Sequence, residues 1–240
     1  MTPRISYLLP VHNDAATIVA TARTLATRLR AFPGSEIVLV ENGSADASYA
    51  QCMHAAERST AEVSVIVSRS APGMGNALRE GIRVSRGDLV ILTASDLPFG
   101  FTDLDAWLKL DSPPKVVIGS KGHPQSEIET SLLRRTLSAG FTAIRRLALG
   151  VTAADTQGAI FIDGDLCRSI LPHLRCEDYL ITTEVVAWAQ RFGHAAFEVP
   201  VKYRQSGEST VSPVRDAARM LVGLMRLRQR LRLAPADAYQ

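Results

Sequence analysis

The sequence predicts an α/β fold built on a mainly parallel β-sheet flanked by helices. Short apolar runs alternate along the chain with segments of helical periodicity, which is typical of a parallel sheet wrapped by helices. The runs are rich in Ile, Leu and Val without polar alternation, as expected of strands buried on both faces. The chain has 240 residues, 46% of them hydrophobic and 21% charged. This composition indicates a globular protein and argues against a disordered or fibrous one.

Five apolar runs are the predicted strands of the sheet: residues 5–11, 36–40, 63–67, 89–92 and 115–119. Between the first two, apolar residues at helical spacing predict a helix, which contains Ile18, Ala22, Leu25 and Leu29. Asn13 and Asp14 can cap its start, and Pro33-Gly34 follow its end. A second helix is predicted at residues 75–85, between the strands at residues 63–67 and 89–92.

The pattern changes after Pro124. A long helix is predicted with one apolar face formed by Leu137, Phe141, Ile144 and Ala148. A strand at residues 158–162 follows, and then a helix that holds Val185, Trp188, Ala189 and Phe192. We therefore expect one domain over residues 1–213, followed by a helix and tail at residues 214–240. That last segment either belongs to the same domain or contacts a membrane.

The net charge of +3 is unevenly distributed. Residues 214–232 hold six arginines and one acid, Asp216, which gives +5 and leaves −2 for the rest of the chain. Apolar residues at i, i+4, i+7 and i+11 predict a basic amphipathic helix with an apolar stripe of Met220, Leu224, Leu227 and Leu231. Such a helix can lie on anionic lipid, dock a small integral membrane protein, or pack its leucines on the domain. The basic segment has no interleaved aromatic residues, so nucleic-acid binding is not expected.

The cellular location follows from two further features. The three cysteines show no C-x-x-C spacing, which favours a reduced compartment. No apolar run approaches the ~18–20 uncharged residues that span a bilayer, and M-T-P-R-I-S lacks the apolar region of a signal peptide. A cytoplasmic protein is therefore expected, and contact of the basic helix with anionic lipid would associate it peripherally with the inner face of a membrane.

Polar residues follow three of the predicted strands: P-V-H-N-D the first, E-N-G-S-A-D the second and T-A-S-D-L-P the fourth. In open α/β sheets, ligands bind beyond the carboxyl ends of the strands. Carboxylates gathered there indicate a cation or the N–H and O–H groups of a nucleoside. Each segment taken singly also suits a turn or a helix cap.

Strings throughout the chain carry a family resemblance. Five of them resemble inverting GT-A glycosyltransferases of family 2: Y-L-L-P-V-H-N-D (7–14), V-L-V-E-N-G-S-A-D (38–46), G-N-A-L-R-E-G-I (75–82), R-G-D-L-V-I-L-T-A-S-D-L (86–97) and V-V-I-G-S-K (116–121). Four more are similar to dolichyl-phosphate or polyprenyl-phosphate hexose synthases: R-R-T-L-S-A-G-F, D-T-Q-G-A-I-F, E-V-P-V-K-Y-R and S-G-E-S-T. The resemblance runs from about residue 5 to residue 225 and implies a GT-A, Rossmann-like fold.

The resemblance implies transfer of a sugar from a nucleotide-diphosphate donor to polyprenyl phosphate at a membrane. By position it implies a nucleotide-sugar pocket of Pro10, His12, Asp14, Glu41, Asn42, Ser95, Asp96, Lys121, Arg204 and Thr210. It places Asp155, Gln157 and Glu184 on the acceptor side. The candidate catalytic residues are Asp96, Arg204 and Glu184.

Three positions depart from the family pattern. Asp96 matches the second acid of the family's D-x-D metal motif, but Ala94 stands where the first is expected. A Mg²⁺ or Mn²⁺ ion bound through Asp96 would therefore have few protein ligands, and metal dependence is left open. Thr210 replaces an expected lysine and Met74 a residue that is often basic, which removes cations from the surroundings of a diphosphate.

The implied chemistry asks little of the protein. A phosphate monoester has a second pKa of ~6, so this acceptor is already anionic near neutral pH and needs no general base. A UDP-sugar is favoured over GDP-mannose because E-N-G-S is closer to glucosyl-type relatives. Two alternatives stay open: a family 2 transferase with a hydroxyl acceptor and Glu184 or Asp178 as base, and a catalytically silent relative that binds nucleotide sugar.

Overall fold

A computed structural model describes residues 3–129, 132–204 and 213–233, with side chains for residues 3–129, 140–203 and 220–233. The strands are β1 (Ile5–Val11), β2 (Ser35–Glu41), β3 (Val63–Arg69), β4 (Leu89–Leu92), β5 (Val116–Ser120), β6 (Glu127–Glu129), β7 (Ile160–Asp163), β8 (Phe197–Pro200) and β9 (Lys202–Arg204). The helices are α1 (Ile18–Leu29), α2 (Ser48–Ala56), α3 (Met74–Val84), α4 (Thr102–Trp107), α5 (Leu132–Leu149), α6 (Gly164–Ile170), α7 (Ile181–Arg191) and α8 (Pro213–Leu233).

Seven strands form one sheet in the order β3-β2-β1-β4-β7-β5-β8, and β6 pairs with β9 in a small second sheet. Neighbouring strands of the large sheet are parallel except at β7, which runs antiparallel to both β4 and β5. The predicted mainly parallel sheet is confirmed, and the reversed direction of β7 was not predicted. The carboxyl ends of β1 to β5 therefore lie along one edge, which we call the rim.

Hydrophobic cores cover both faces of the large sheet. In β1, Leu8 belongs to a core shared with α3, α6, α7 and α8, whereas Tyr7 and Leu9 belong to a core shared with α1, α2 and α4. Successive side chains of a strand point to opposite faces, so a strand buried on both faces is apolar throughout. This explains why uninterrupted runs of Ile, Leu and Val marked the strands correctly.

Helix α5 matches its predicted apolar face at Phe141, which packs against the core, but differs from it at Ile144. Leu137 lies outside the residues whose side chains the structure describes. Ile144, placed by its periodicity on the apolar face, is 44% exposed, whereas the neighbouring Arg145 is only 1% exposed. The Arg145 guanidinium donates to the carbonyl oxygens of Ala153 and Ala154 and to Thr156 Oγ1. These bonds compensate the arginine for lost water and decide which face of the helix turns inward.

The predicted apolar stripe of α8 packs on the domain. Leu224 and Leu227 are fully buried and Leu231 is 9% exposed, in the same core as α3 and α7. The outward face carries four other exposed apolar side chains, together with Arg226 and Arg232: Leu221, Val222, Met225 and Leu233. The hypothesis that the leucine stripe contacts a membrane is therefore wrong, because these leucines are already covered. Among the described residues, no helix is long and apolar enough to cross a bilayer.

The three cysteines, Cys52, Cys167 and Cys176, are free and buried. Burial raises the pKa of each thiol to about 12. A thiol is nucleophilic as the thiolate, so all three are unreactive near neutral pH.

Candidate active site

The loops that follow β1 and β2 form one surface at the rim. His12 Nδ1 lies 3.3 Å from the carbonyl oxygen of Asn42. The Asn13 N–H donates to Ser44 Oγ at 3.0 Å, and the Ala45 N–H donates to Asn13 Oδ1 at 2.9 Å. Asn13 holds a positive φ of 53°, a conformation that asparagine tolerates better than most residues. The structure thus brings together two clusters that lie 30 residues apart in sequence.

Acidic side chains of these loops accept hydrogen bonds that stabilise turns and the starts of helices. The Asp14 N–H donates to Ser48 Oγ at 2.7 Å, and the Asp14 carboxylate accepts the Thr17 hydroxyl. Asp46 accepts the N–H of Ala15 at 3.1 Å and that of Ser48 at 2.9 Å. The interpretation of these residues as turn and helix-start ligands therefore holds for Asp46, whereas Asp14 also faces the segment after β4.

Glu41 is a buried carboxylate at the end of β2, 2% exposed. Burial alone would raise its pKa, but hydrogen bonds from Ser44, Arg69 and the Gly43 amide outweigh burial and lower it. The Arg69 Nε–H donates at 3.1 Å, and its guanidinium carbon lies 4.8 Å from the centre of the Tyr49 ring. Sequence reasoning missed Arg69, although its place just beyond the third predicted strand put it on the same rim. Glu41 therefore shapes the turn at residues 42–44 and holds a cation beside it.

Asp96 lies in the segment after β4 and is exposed at the rim. The protein around it removes enough water to raise the pKa of its carboxyl, and the negative charge of Asp14 adds to the rise. Ser95 and Ala94 are partly buried beside Asp96, and Ala94 offers no ligand atom.

The residues around Asp96 do not by themselves build a metal site. In the described part of the chain, no three side chains of His, Cys, Asp or Glu come together in an arrangement that could hold an ion. Asp96 with Asp14 nearby supplies two carboxylates where Mg²⁺ or Mn²⁺ prefers about six ligands. The remaining ligands would have to come from outside this group of side chains.

Lys121 stands at the end of β5 on the same rim. The backbone N–H of Lys121 donates to Asp155 Oδ2 at 3.1 Å, and the side-chain Nζ lies 3.9 Å from the same oxygen. The Nζ also lies 5.4 Å from the centre of the Tyr203 ring and 6.0 Å from that of Phe99, three residues beyond Asp96. The Gln157 N–H donates to Asp155 Oδ1 at 2.8 Å. The structure therefore gathers Lys121, Asp155 and Gln157 and joins them through Phe99 to the segment of Asp96.

Two charged side chains, the buried Arg145 and the partly buried Glu198, hold the loop that carries Asp155. Arg145 bonds the carbonyl side of residues 153–154, and burial lowers the pKa of its guanidinium. From the other side, the Glu198 carboxylate accepts the N–H of Ala154 at 2.9 Å and that of Asp155 at 3.1 Å. The peptide groups of this loop thus lie between a guanidinium and a carboxylate, which fixes the position of Asp155.

Glu184 is fully buried. Its Oε2 accepts the N–H of Arg175 at 2.8 Å and that of Cys176 at 2.7 Å, and its Oε1 lies 3.0 Å from Arg230 Nη2 on α8. Asp178, the other predicted base, accepts the Leu180 N–H at 2.9 Å at the start of α7. These contacts favour structural roles for both acids over the predicted catalytic ones.

Three predicted residues remain to be placed. Pro10 is partly buried in β1, one residue before its end. Arg204 ends β9, where its backbone is paired with Glu129 of β6, and its side chain lies outside the described part of the structure. Thr210 also lies outside it.

The model of glycosyl transferase family 2 matches residues 6–162. The chain belongs to glycosyl transferase family 2. The resemblance deduced from the sequence is therefore confirmed, and the match covers the rim segments after β1 to β5.

Family 2 relatives span much of the chain. Glycosyltransferase AglD of Haloferax volcanii is 25% identical over 96% of this chain and 38% of its own length. A dolichyl-phosphate beta-glucosyltransferase of Dictyostelium discoideum is 25% identical over 81% of this chain and 63% of its own. An undecaprenyl-phosphate 4-deoxy-4-formamido-L-arabinose transferase of Photorhabdus laumondii is 24% identical over 87% and 63%. The chain thus spans less than two thirds of each of these three relatives.

A solved structure confirms the GT-A fold. Glucosyl-3-phosphoglycerate synthase from Mycobacterium tuberculosis, in complex with Mn²⁺, UDP-glucose and phosphoglyceric acid, superposes with a TM-score of 0.69. The alignment covers 97% of this chain and 81% of that one at 17% identity. At this identity the likeness establishes the fold alone.

Proposed function

We propose that this family 2 chain is an inverting glycosyltransferase that moves a sugar from a nucleotide-diphosphate donor to polyprenyl phosphate. The product is a polyprenyl-phosphate monosaccharide for cell-envelope glycan synthesis. The observation that carries the proposal is the shared rim, where the loops of His12, Asp14 and Asn42 lie on the same sheet edge as Asp96 and Lys121. The names of two relatives, which specify dolichyl phosphate and undecaprenyl phosphate, support the acceptor class.

The donor occupies the rim in this proposal. Its nucleoside binds at His12, Asp14 and Asn42, and Lys121 and Arg204 face the diphosphate. We favour a UDP-sugar because E-N-G-S at residues 41–44 is closer to glucosyl-type relatives. Solved neighbours contain Mn²⁺ or Mg²⁺ with UDP, but the side chains around Asp96 make a thin ligand set, so no step is assigned to a metal.

The reaction is a displacement at the anomeric carbon. A phosphate oxygen of the acceptor forms the new bond to this carbon, the bond to the diphosphate oxygen breaks, and the nucleoside diphosphate leaves with the electron pair. The phosphate monoester, with a pKa of ~6, attacks as an anion, so no protein base is required. The task of Lys121 is to stabilise the developing charge, and Asp155 and Gln157 on the acceptor side position the reactants.

The test of this function is a transfer assay with a panel of nucleotide sugars and polyprenyl phosphate, in which the product is a lipid labile to mild acid. Lys121→Met should reduce turnover by ~10²-fold or more, since it removes a cation beside the leaving group. Lys115→Met is the matched control, because Lys115 pairs with Asp163 near the other edge of the sheet and should leave turnover unchanged. Absence of lipid product from every donor would contradict the proposal.

The outward face of α8 is the proposed membrane contact, which would place the protein peripherally at the inner face of a membrane. It combines exposed apolar side chains with arginines, as helices that lie on anionic lipid do. Met225→Glu should weaken binding to phosphatidylglycerol vesicles, and raised salt should do the same. Met53→Glu on α2 introduces the same charge at a comparably exposed methionine and should not. Equal effects of the two substitutions, or undiminished binding of Met225→Glu, would argue against this face. Absence of vesicle binding by the wild type would favour docking to a membrane protein.

One other function has support from a particular residue. Ala94, in place of a metal-motif acid, favours a catalytically silent relative that binds nucleotide sugar. Titration with UDP-sugars, with and without Mn²⁺, followed by the transfer assay separates the two, because a silent relative binds the donor without turnover. For a hydroxyl acceptor, the hydrogen bonds that Glu184 and Asp178 accept within the fold count against these two acids as bases.

A further inference from the structure

The C-terminal helix α8 contacts the domain through an ion pair between Arg230, whose side chain is 31% exposed, and Glu184. Arg230 Nη2 lies 3.0 Å from Glu184 Oε1, and Glu184 is fully buried. The same Arg230 nitrogen donates to Cys176 Sγ at 3.3 Å. Gly223 of α8 lies so near the start of α7 that a Cβ at this position would overlap the Leu180 side chain. Helix α8 therefore contacts the chain directly between residues 174 and 184.

Residues 174–177, which we call the bridge segment, carry this contact to helix α3. The other oxygen of Glu184 accepts the amide hydrogens of Arg175 and Cys176 within the bridge segment. Arg79 of α3 donates to the Leu174 carbonyl oxygen at 3.3 Å, and the Gly75 N–H donates to the Glu177 carbonyl oxygen at 2.8 Å. The bridge segment is thus bonded to α8 through Glu184 on one side and to α3 on the other.

The approach at the start of α3 is close. Gly75 has no side chain, and a Cβ there would overlap the Cys176 carbonyl oxygen. Gly73 adopts a φ of +118°, and a Cβ there would overlap the Glu177 carbonyl oxygen. Any displacement of the bridge segment therefore reaches the first turn of α3.

The segment just before α3 contacts the proposed nucleoside pocket. Asn76 Nδ2, in the first turn of α3, donates to the Pro72 carbonyl oxygen of this segment at 2.8 Å. A Cβ on Gly43, in the turn after β2, would lie 2.7 Å from Pro72 Cγ. The Ser70 N–H donates to the Glu41 carbonyl oxygen at 3.0 Å. The path from Arg230 to Gly43, the residue after Asn42, thus consists of these contacts and the short backbone connection from residue 70 to residue 75.

We propose that Arg230 and Glu184 are positioning residues for the donor pocket, so that the seating of α8 on the domain determines how tightly the nucleotide is held. The inference rests on the proposed function, because it concerns the donor site of that reaction. Without Arg230, Glu184 is a buried carboxylate whose charge is balanced only by two amide hydrogens. Removing one partner of a buried ion pair leaves such a charge uncompensated, and the structure around it opens.

Hydrogen exchange of the full chain tests the coupling without any substrate. In Arg230→Met, amide exchange should speed up by about tenfold or more in peptides that cover residues 73–77 and 174–178. Exchange in residues 5–29 should stay as in the wild type. Arg226→Met, a neutralised arginine on the outward face, is the matched control and should change neither region. Uniformly faster exchange, or a change confined to α8, would overturn the proposal.

A titration with UDP then measures the consequence for the donor pocket. We expect the Kd for UDP to rise about tenfold in Arg230→Met, and Arg230→Lys, which keeps the charge, to recover part of the affinity. An unchanged Kd alongside faster exchange would overturn the positioning role. If the wild type does not bind UDP at all, the proposed donor fails, whereas the exchange experiment still decides whether α8 is coupled to α3.

Discussion

Replacing Asp103 with Asn should stabilise the protein at pH 8 by up to about 3 kcal/mol. Asp103 lies in the first turn of α4, is 2% exposed, and has the Leu104 N–H as a hydrogen-bond donor at 2.8 Å. Burial raises the pKa of its carboxyl from 3.8 to about 6. The folded protein therefore holds this proton more tightly than the unfolded chain does. Stability from this group is present at low pH and is lost as pH rises through about 6.

The magnitude follows from the two pKa values. Their separation, from 3.8 to about 6, corresponds to about 3 kcal/mol at about 1.36 kcal/mol per pH unit. Asn is neutral at every pH and keeps an oxygen for the Leu104 amide. The advantage of Asp103→Asn should therefore be full above pH 7 and nearly vanish at pH 4.

Urea unfolding at pH 4, 6 and 8, followed by tryptophan fluorescence, measures this difference. Asp105→Asn is the control on the same helix, because Asp105 is 53% exposed and pairs with Arg28. Loss of an exposed pair should cost at most about 1 kcal/mol and show no transition near pH 6. The reasoning is refuted if Asp103→Asn has the wild-type stability at pH 8, or if its advantage persists unchanged at pH 4.

Three further predictions test the packing. Gly75→Ala should lower the free energy of unfolding despite the better helix propensity of Ala, because its Cβ would overlap backbone atoms. Gly140→Ala, in the open part of α5, should raise the free energy of unfolding by about 0.5–1 kcal/mol. Similar changes of the urea midpoint in the two variants would contradict this prediction. Leu227→Ala should lower the free energy of unfolding by about 2–5 kcal/mol, and Leu221→Ala, at an exposed position, by less than about 0.5 kcal/mol. Comparable losses in the two variants would show that α8 does not pack as described. Arg145→Met should lower the free energy of unfolding by about 1–3 kcal/mol and speed amide exchange in residues 152–157, because three acceptors lose their donor. Unchanged exchange in these residues would rule out a role of Arg145 in holding the loop.

The sheet was predictable because burial on both faces leaves a strong local signal. Runs of Ile, Leu and Val give β1 and β4 their correct bounds and place β2, β3 and β5 within two residues. The direction of β7 was not predictable, because a short apolar strand has the same sequence pattern in parallel and in antiparallel pairing.

Helix faces were harder to predict, since periodicity shows which residues share a face but not what covers that face. The leucines of α8 were identified correctly as one stripe, but only the fold shows that they pack against the core. Arg145 escaped prediction altogether, because its burial depends on carbonyl groups that the loop at residues 153–156 brings to it. A buried arginine carries no local sequence signal.

The candidate site was predictable to the extent that its residues follow strands. His12, Asp14, Asn42, Asp96 and Lys121 come after β1, β2, β4 and β5, and the parallel sheet brings these positions to one edge. The surroundings of Glu184 were not predictable, for the opposite reason. Its partners come from residues 175 and 176 and from α8, and only the tertiary structure brings these groups to one carboxylate.

The three buried cysteines make the chain a ready host for site-specific probes. With thiol pKa values of about 12 and little solvent contact, the native sulfurs should remain unlabelled by maleimide reagents near neutral pH. A single cysteine introduced at Val222 or Leu233 would then carry a polarity-sensitive dye without a cysteine-free background. The emission colour of that dye would show directly whether the outer surface of α8 enters lipid.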